Sequence, residues 1–436
     1  MTKKTASHGG NVYEFAQSRS IQPSDVLDFS ANINPLGMSY QGYDAILSAL
    51  KDCEQYPDIH NRELLLSLSS HLELPPEYIL LGNGASELLY GALHALPIQT
   101  VYVPAPGFSE YTKASLAMKK SVCYYPIGGL GENCLLRTCD EAPLKGELGQ
   151  NDSLHKRDEL DNLHALGQEQ TKWPIVSNHK GDVLQAYGVH EAGIEQIGLK
   201  IHESHSESIA ANVLYIIGNP NNPDGSLVNI EAFEQYLQAT ERNGAYVLVD
   251  ESFIEFTDES HSVRQFCRRY KHLLVLHSLT KFYAVPGLRL GVILGHPTVL
   301  DLINDLIPAW SVNRLAQVYG VAALHDRAYI EASKAYITEE RQRIYRAYKD
   351  IPFLQVVEPT VNFMLLRWLP ESPCLEDFIA YVNGHHMMLR NCQAYEGLGR
   401  GWFRIAIKKK EENNVLLSHV KEYGNEHNLF SSSWTD

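Results

Sequence analysis

Three apolar runs, each followed within a few residues by a polar side chain, constrain the fold of this chain most strongly. The runs cover residues 213–217, 246–249 and 273–276. Runs of this length and composition are typical of strands in a parallel sheet that is covered on both faces. Open sheets of this kind bind ligands at the carboxyl ends of their strands. We therefore expect Asn222, Asp250 and Lys281, which follow the runs, to share one site.

The segment around Lys281 carries the groups needed to hold a phosphorylated aldehyde. A lysine amine forms a Schiff base with an aldehyde. Ser278 and Thr280 precede the lysine, and Arg289 follows it by eight residues. Hydroxyl and guanidinium groups bind a doubly charged phosphate through charge-assisted hydrogen bonds. These residues together predict an anchor for pyridoxal phosphate.

Asp250 and Asn222 fit other parts of the same cofactor. A carboxylate at the end of a strand can pair with the protonated pyridine nitrogen and strengthen the capacity of the ring to withdraw electrons. Asn222 lies in the turn-rich segment 218–225 and can donate to the phenolic oxygen. Three strands occur in order along the chain, followed by Asn, by Asp and by Ser-x-x-Lys. Together these motifs predict a cofactor site more strongly than any one of them alone.

A glycine turn after another strand-like run, residues 78–81, predicts a second contact to phosphate. Gly84, Ala85 and Ser86 begin a segment with helical periodicity, and backbone N–H groups at such a helix start bind anions. A dinucleotide-binding turn is excluded, because Glu87 stands where the third glycine would be and no P-loop lysine follows.

The order and spacing of these segments resemble the fold-type-I pyridoxal phosphate enzymes. The resemblance is to the branch that holds the histidinol-phosphate aminotransferases and the threonine-phosphate decarboxylases. The segments 8–11 (His-Gly-Gly-Asn) and 27–37 are similar to the decarboxylases in particular. This resemblance implies an α/β fold with a mainly parallel central sheet flanked by helices, and a smaller α+β domain.

The resemblance also implies the role of individual residues. Lys281 would be the catalytic lysine, Phe108 would stack on the pyridine ring, and Arg404 would bind the substrate α-carboxylate. Arg390 matches an additional arginine that is typical of the decarboxylases. The implied cofactor contacts are Gly84, Ala85, Ser86, Phe108, Asn222, Asp250, Phe253, Ser278, Thr280, Lys281 and Arg289, with Tyr56 reaching the cofactor phosphate of the neighbouring subunit of a homodimer. The implied substrate contacts are His8, Gly9, Asn32, Asn222, Arg390 and Arg404.

The residue three positions after Asp250 bears on the reaction. Many transaminating relatives have a tyrosine there, whereas this chain has Phe253, which is frequent in threonine-phosphate decarboxylases. The resemblance therefore implies decarboxylation of L-threonine O-3-phosphate to (R)-1-aminopropan-2-yl phosphate in cobalamin biosynthesis. L-serine O-phosphate decarboxylation and histidinol-phosphate transamination stay open as alternatives. A third alternative is a protein of this fold that binds its ligand without turnover, and the intact lysine, aspartate and asparagine argue against it.

The length of the chain, 436 residues, predicts one large domain and a smaller one. We expect an amino-terminal arm and part of the small domain over 1–45, a large cofactor-binding domain over 46–304 and a carboxyl-terminal small domain over 305–436. Within about 129–210 the sequence becomes polar and rich in histidine, which predicts an inserted surface segment of loops and short helices. The histidine spacing there matches no compact ligand pattern, so no metal site is predicted.

Composition excludes several classes of protein. A formal net charge of −15 argues against general nucleic-acid binding. The chain shows neither an amino-terminal signal peptide nor an apolar run long enough to cross a bilayer. Its seven cysteines are scattered, which fits reduced thiols and a cytoplasmic location.

Overall fold

The computed structural model describes residues 9–127, 184–187, 196–201 and 212–431. The helices of this part are α1 (Val12–Arg19), α2 (Tyr40–Ala49), α3 (Arg62–Leu72), α4 (Ala85–Ala95), α5 (Ser109–Ala117), α6 (Ile230–Asn243), α7 (Leu279–Phe282), α8 (Pro297–Asn304), α9 (Arg314–His325), α10 (Arg327–Tyr348), α11 (Leu375–Gly384) and α12 (Lys410–Glu426).

The strands are β1 (Leu27–Asp28), β2 (Ile79–Gly82), β3 (Thr100–Ala105), β4 (Ser121–Pro126), β5 (Leu184–Tyr187), β6 (Gln196–Ile201), β7 (Val213–Gly218), β8 (Leu227–Val228), β9 (Tyr246–Asp250), β10 (Leu273–Ser278), β11 (Gly291–Gly295), β12 (Leu354–Val356), β13 (Phe363–Trp368), β14 (Met387–Met388), β15 (Arg390–Asn391) and β16 (Trp402–Ala406).

The central sheet has seven strands in the order β2-β11-β10-β9-β7-β3-β4. All neighbouring pairs from β10 to β4 are parallel, and β11 runs antiparallel to both of its neighbours. The prediction of a mainly parallel sheet flanked by helices is therefore confirmed. The three apolar runs of the sequence are β7, β9 and β10, which lie beside one another.

These strands are apolar throughout because both faces of the sheet are covered. In β7 the side chains of Leu214 and Ile216 join one hydrophobic core, and those of Tyr215 and Ile217 join the other. Successive side chains of a strand point to opposite faces, so a strand with a core on each side has no position for a solvated residue. This burial explains why the sequence shows continuous runs rather than alternation.

Helix boundaries follow local chemistry. The side chain of Asn229 accepts a hydrogen bond from the backbone N–H of Ala232 at 3.0 Å and begins α6. Gly244, with φ of 69°, ends the same helix in the left-handed conformation that favours glycine. The chain then enters β9, so the end of α6 at Gly244 determines where the strand that ends in Asp250 begins.

A second, antiparallel sheet follows in the carboxyl-terminal part, in the order β12-β13-β16-β15. The pair of β1 and β14 joins the amino-terminal segment to this part of the chain. Helices α9 and α10 follow one another in this part of the chain, separated by Asp326 alone. The limits of the predicted domains stay a prediction.

Part of the predicted insertion departs from expectation. β5 pairs antiparallel with β6, and β6 pairs parallel with β8. The predicted loops and short helices therefore do not include 184–187 and 196–201, where the backbone forms paired strands. The rest of the insertion, 128–183, 188–195 and 202–211, lies outside the described residues.

In the described part of the chain, every helix is too short or too polar to pass through a lipid bilayer.

Candidate active site

The sheet register brings the predicted site residues to one edge. Asp250, the last residue of β9, is the register partner of Gly218 in β7 and of Leu276 in β10. On the other side Ser278, the last residue of β10, pairs with Gly291, which in turn pairs with Gly82. The ends of four strands and the start of β11 therefore meet at one edge of the sheet.

A cavity opens at this edge and gathers residues from distant parts of the chain. It is lined by Gly9, Ser30, Ala31, Asn32, Phe108, Tyr111, Pro220, Asn222, Asp250, Ser252, Phe253, Lys281, Arg390, Tyr395 and Arg404. Nine of these were expected from the sequence: Gly9, Asn32, Phe108, Asn222, Asp250, Phe253, Lys281, Arg390 and Arg404.

Lys281 lies in the single-turn helix α7 directly after β10, and its environment favours the neutral amine. Burial lowers the pKa of Lys281 to about 8, and the positive charges of Arg404 and Arg289 act in the same direction. Asp250 acts in the opposite direction. An amine with this pKa has a much larger unprotonated fraction near neutral pH than an ordinary lysine, and nucleophilic attack on a carbonyl requires the unprotonated form.

The carboxylate of Asp250 is held by three donors. The backbone N–H and the hydroxyl of Ser252 donate to Oδ1 at 2.9 and 2.5 Å. The hydroxyl of Tyr111 donates to Oδ2 at 2.7 Å. The carboxylate therefore has a fixed orientation at the cavity wall, as a partner for a protonated ring nitrogen needs.

The residues expected to bind phosphate lie beside the cavity. Gly84 directly precedes α4 as its N-cap residue, with φ of +83°, and no side-chain hydrogen bond caps this helix. A Cβ atom at Gly84 would lie 2.5 Å from Nη2 of Arg289, so only glycine lets this guanidinium approach the helix start. The hydroxyls of Ser278 and Thr280 lie 2.8 Å apart at the end of β10.

This combination of a helix N-terminus, a guanidinium and two hydroxyls is the donor set that a phosphate monoester requires. Ala85 and Ser86 form the first turn of α4, where the expected backbone donors lie. With Lys281 and Asp250, these residues fit pyridoxal phosphate.

Arg404 is buried, with an exposed fraction of 5%, and reaches the cavity from β16. Its Nη1 donates to Oδ1 of Asn222, and its Nη2 donates to the backbone carbonyl of Ser30 at 3.0 Å. Its Nε has no hydrogen-bond partner among the described residues. Because the Asn222 oxygen faces the arginine, the amide nitrogen of Asn222 is the end that can donate to a ligand.

Arg390 and Arg404 are direct partners in the pairing of β15 with β16. The guanidinium of Arg390 lies over the ring of Tyr395, 5.4 Å from its centre. Burial is the largest influence on the pKa of Arg404 and lowers it, and the positive charge of Arg390 acts in the same direction. Two like charges this close indicate a site built for an anionic ligand.

The amino-terminal segment closes another side of the cavity. The backbone N–H of Gly10 donates to the hydroxyl of Ser30 at 2.8 Å, and a Cβ atom at Gly9 would lie 2.3 Å from the carbonyl oxygen of Ser30. Asn32 is buried, and its Oδ1 has no partner among the residues described. The structure thus brings Gly9 and Asn32 to the predicted site, whereas His8 lies outside the described residues.

Tyr56, like the residues expected to bind phosphate, does not line the cavity of its own chain. Its side chain is 79% exposed and stacks on Trp310 with ring centres 4.5 Å apart. Phe253 does line the cavity, and its ring packs edge to face against Phe363 at 5.0 Å.

Sequence reasoning missed four residues that contact the expected ones: Tyr111, Ser252, Ser30 and Tyr395. Tyr111 could have been predicted to lie at the site, because it follows the predicted ring-stacking Phe108 by three residues at the start of a helix. Residues with this spacing lie on the same face of a helix. The others lie in loops whose paths the sequence does not specify.

Comparison with known proteins places this architecture in a family. A model for "Aminotransferase class I and II" matches residues 190–420, which is more than half of the chain.

Similarity to individual proteins extends over nearly the whole chain. It is 28% identical to the threonine-phosphate decarboxylase of Salmonella typhimurium over 95% of this chain and 96% of that protein. The structure resembles the histidinol-phosphate aminotransferase of Clostridium acetobutylicum, with a TM-score of 0.70, 27% identity and coverage of 92% and 100% of the two chains. It also resembles the histidinol-phosphate aminotransferase of Sinorhizobium meliloti in complex with pyridoxal-5'-phosphate, with a TM-score of 0.70, 17% identity and 97% coverage of both chains.

Proposed function

Because this chain belongs to the class I and II aminotransferase family, we propose that it binds pyridoxal phosphate and decarboxylates L-threonine O-3-phosphate. The products are (R)-1-aminopropan-2-yl phosphate and carbon dioxide, in cobalamin biosynthesis. Similarity to a threonine-phosphate decarboxylase over 95% of the chain supports this activity.

The cofactor would be held at both of its ends. Arg289, Ser278, Thr280 and the first turn of α4 would bind the phosphate, and Lys281 would hold the aldehyde carbon. Asp250 would pair with the ring nitrogen, Phe108 would cover the ring, and the amide nitrogen of Asn222 would donate to the phenolic oxygen. When bound, pyridoxal phosphate withdraws electrons from the bonds at the substrate Cα.

The residues of the chain decide which of these bonds breaks and where protons go. Arg404 binds the carboxylate, and Arg390 binds the phosphate at the other end of the substrate. Holding both ends fixes the rotation of the substrate about Cα, so that the bond to the carboxylate takes the reactive orientation. After the bond between Cα and the carboxylate carbon breaks and carbon dioxide leaves, the ammonium group of Lys281 can return a proton to Cα.

The observation that carries the choice of substrate is the pairing of Arg390 with Arg404 across two strands at the cavity. A single guanidinium suffices for an amino acid with one carboxylate. Two of them match a substrate that carries both a carboxylate and a phosphate.

Histidinol phosphate and serine phosphate are the two alternative candidate substrates. Histidinol phosphate has a phosphate but no carboxylate, so it offers a single anionic group to the two guanidinium groups of Arg390 and Arg404. Similarity to histidinol-phosphate aminotransferases keeps transamination as the second candidate. Serine phosphate differs from threonine phosphate by one methyl group, and such a group is worth only about 1–3 kcal/mol in a pocket.

Arg390→Ala tests the assignment of the phosphate contact. We expect kcat/KM for threonine phosphate to fall by roughly one to two decades, because a lost hydrogen bond to a charged group costs about 1.5–3 kcal/mol. Slow turnover of unphosphorylated threonine should change little, since that substrate lacks the group that Arg390 binds. The measurement is carbon dioxide release with each substrate.

Arg367→Ala is the matched control. Arg367 lies on β13, its guanidinium is 5.9 Å from the ring centre of Trp402, and it does not line the cavity. Its removal should leave the substrate preference intact. Equal loss with threonine and threonine phosphate in Arg390→Ala would show that this arginine has no role in phosphate recognition.

We also propose that the active unit is a homodimer. Tyr56 is 79% exposed beside the 45% exposed Trp310, and an aromatic pair at the surface favours a protein contact. In a dimer Tyr56 would reach the cofactor phosphate of the partner subunit. Sedimentation as a monomer at the concentration used for the assay would contradict this proposal.

A further inference from the structure

Tyr111 connects the helix that carries the ring-stacking residue with the strand that carries the ring-nitrogen partner. Helix α5 begins at Ser109, directly after Phe108, and Tyr111 lies within its first turn. The two aromatic rings meet edge to face, with centres 5.6 Å apart and planes at 88°. The Tyr111 hydroxyl crosses from this helix to Oδ2 of Asp250 at 2.7 Å.

The direction of this hydrogen bond follows from its surroundings. Tyr111 is only 3% exposed. Burial is the main cause that raises the pKa of Tyr111 well above its usual value, and the negative charge of Asp250 adds to the effect. The phenol therefore stays protonated and donates, and the carboxylate accepts.

The three hydrogen-bond donors to Asp250 are distributed over both oxygens of its carboxylate. Ser252 supplies a backbone N–H and a hydroxyl to Oδ1. Tyr111 is the donor to Oδ2, and a carboxylate oxygen can accept more than one hydrogen bond. Without Tyr111 only the Ser252 donors to Oδ1 would hold the carboxylate, and Oδ2 would lose the hydrogen bond that orients it.

We propose that Tyr111 is a positioning residue that orients Oδ2 of Asp250 toward the ring nitrogen of the bound cofactor. The inference rests on the proposed binding of pyridoxal phosphate and assigns to this chain a residue that acts on the cofactor through Asp250. The same helix then sets both the plane of the ring, through Phe108, and the position of its nitrogen, through Tyr111.

A buried tyrosine can also serve packing alone, so the experiment must separate the two roles. The dissociation constant of pyridoxal phosphate is compared with that of the analogue in which carbon replaces the ring nitrogen. The analogue keeps the phosphate, the aldehyde and the ring shape, but it offers no donor to Asp250. A packing role affects both ligands, whereas a role through Asp250 affects only the natural cofactor.

For Tyr111→Phe we expect pyridoxal phosphate to bind roughly threefold to thirtyfold more weakly, which lies within the roughly twofold to 150-fold effects of groups coupled in one hydrogen-bond network. Binding of the analogue should change less than about twofold. The matched control is Tyr125→Phe, because the Tyr125 hydroxyl is also buried but donates to the backbone carbonyl of Ile216 at 2.7 Å. This control should leave the ratio of the two dissociation constants unchanged.

Equal weakening of both ligands, or no change for either, overturns the role of Tyr111. If the parent protein itself fails to bind pyridoxal phosphate, the proposed cofactor fails instead, so the two failures are distinguishable. If Tyr111→Phe does not fold, Ser252→Ala removes one of the two donors to Oδ1 and should weaken the natural cofactor selectively, though by less. Equal weakening of both ligands in Ser252→Ala would then reject hydrogen-bonded positioning of Asp250.

Discussion

Lys281→Ala is expected to abolish covalent attachment of pyridoxal phosphate and nearly all decarboxylation. In the proposed mechanism the lysine supplies both the amine that holds the cofactor and the proton returned to Cα. Loss of the proton transfer alone costs about 10²- to 10⁴-fold in rate. The buried amine, with a pKa lowered to about 8, is the group at this edge of the sheet best suited to attack a carbonyl. Borohydride reduction followed by mass spectrometry should attach the cofactor to the parent protein and not to the variant.

A second lysine supplies the control for this experiment. Burial also lowers the pKa of Lys120, which donates to the backbone carbonyl of Ile98 and lies away from the cavity. Lys120→Ala should retain the reduced adduct in full. An adduct that persists in Lys281→Ala would show that another amine carries the cofactor and would remove the basis of the catalytic assignment.

Asp250→Ala is expected to remove most activity and to weaken cofactor binding while the protein stays folded. The protonated ring nitrogen loses its counter-ion. Breaking a desolvated pair by removing one partner costs at least about 3 kcal/mol, or roughly a hundredfold. The hydroxyls of Tyr111 and Ser252 also lose their acceptor. The measurements are kcat/KM, the dissociation constant of pyridoxal phosphate and the circular dichroism spectrum.

Asp250→Asn separates the charge from the shape of this side chain. Asparagine has nearly the same volume and can still accept a hydrogen bond from Tyr111, but it is neutral. If the charge matters, the asparagine variant should be nearly as impaired as the alanine variant. Near-normal turnover by Asp250→Asn would reject the role of counter-ion.

The sequence was sufficient to predict that the residues directly after strands β7, β9 and β10 lie at one edge of the sheet. Asp250 and Lys281 come after apolar runs, and a parallel sheet brings the ends of such runs together whatever lies between them. The glycine turn at Gly84 was predictable for a similar reason, because its φ of +83° and the approach of Arg289 require glycine. Local chemistry determines these positions, so the sequence alone identifies them.

Contacts between distant segments were not predictable in the same way. Tyr111 and Asp250 are 139 positions apart in the chain, and Arg404 contacts the carbonyl of Ser30 across 374 positions. The fold, and not any local pattern, brings these groups within hydrogen-bonding distance. The roles of Arg390 and Arg404 came from the resemblance, since an arginine on a short strand has no distinctive spacing.

The strands within the predicted insertion were missed for a related reason. β5 and β6 are only four and six residues long and lie in polar sequence. Their stability as strands depends on pairing with each other and with β8. Strand pairing is a tertiary interaction, and composition alone does not reveal it.

The most direct test of the central claim is to identify the products formed from three substrates. The purified holoenzyme is incubated separately with L-threonine O-3-phosphate, L-serine O-phosphate and, together with 2-oxoglutarate, histidinol phosphate. Carbon dioxide release and glutamate formation are measured in parallel. We expect carbon dioxide and 1-aminopropan-2-yl phosphate from threonine phosphate, at a higher kcat/KM than for serine phosphate, and no glutamate from histidinol phosphate. Glutamate formation without any release of carbon dioxide would contradict the account and identify an aminotransferase.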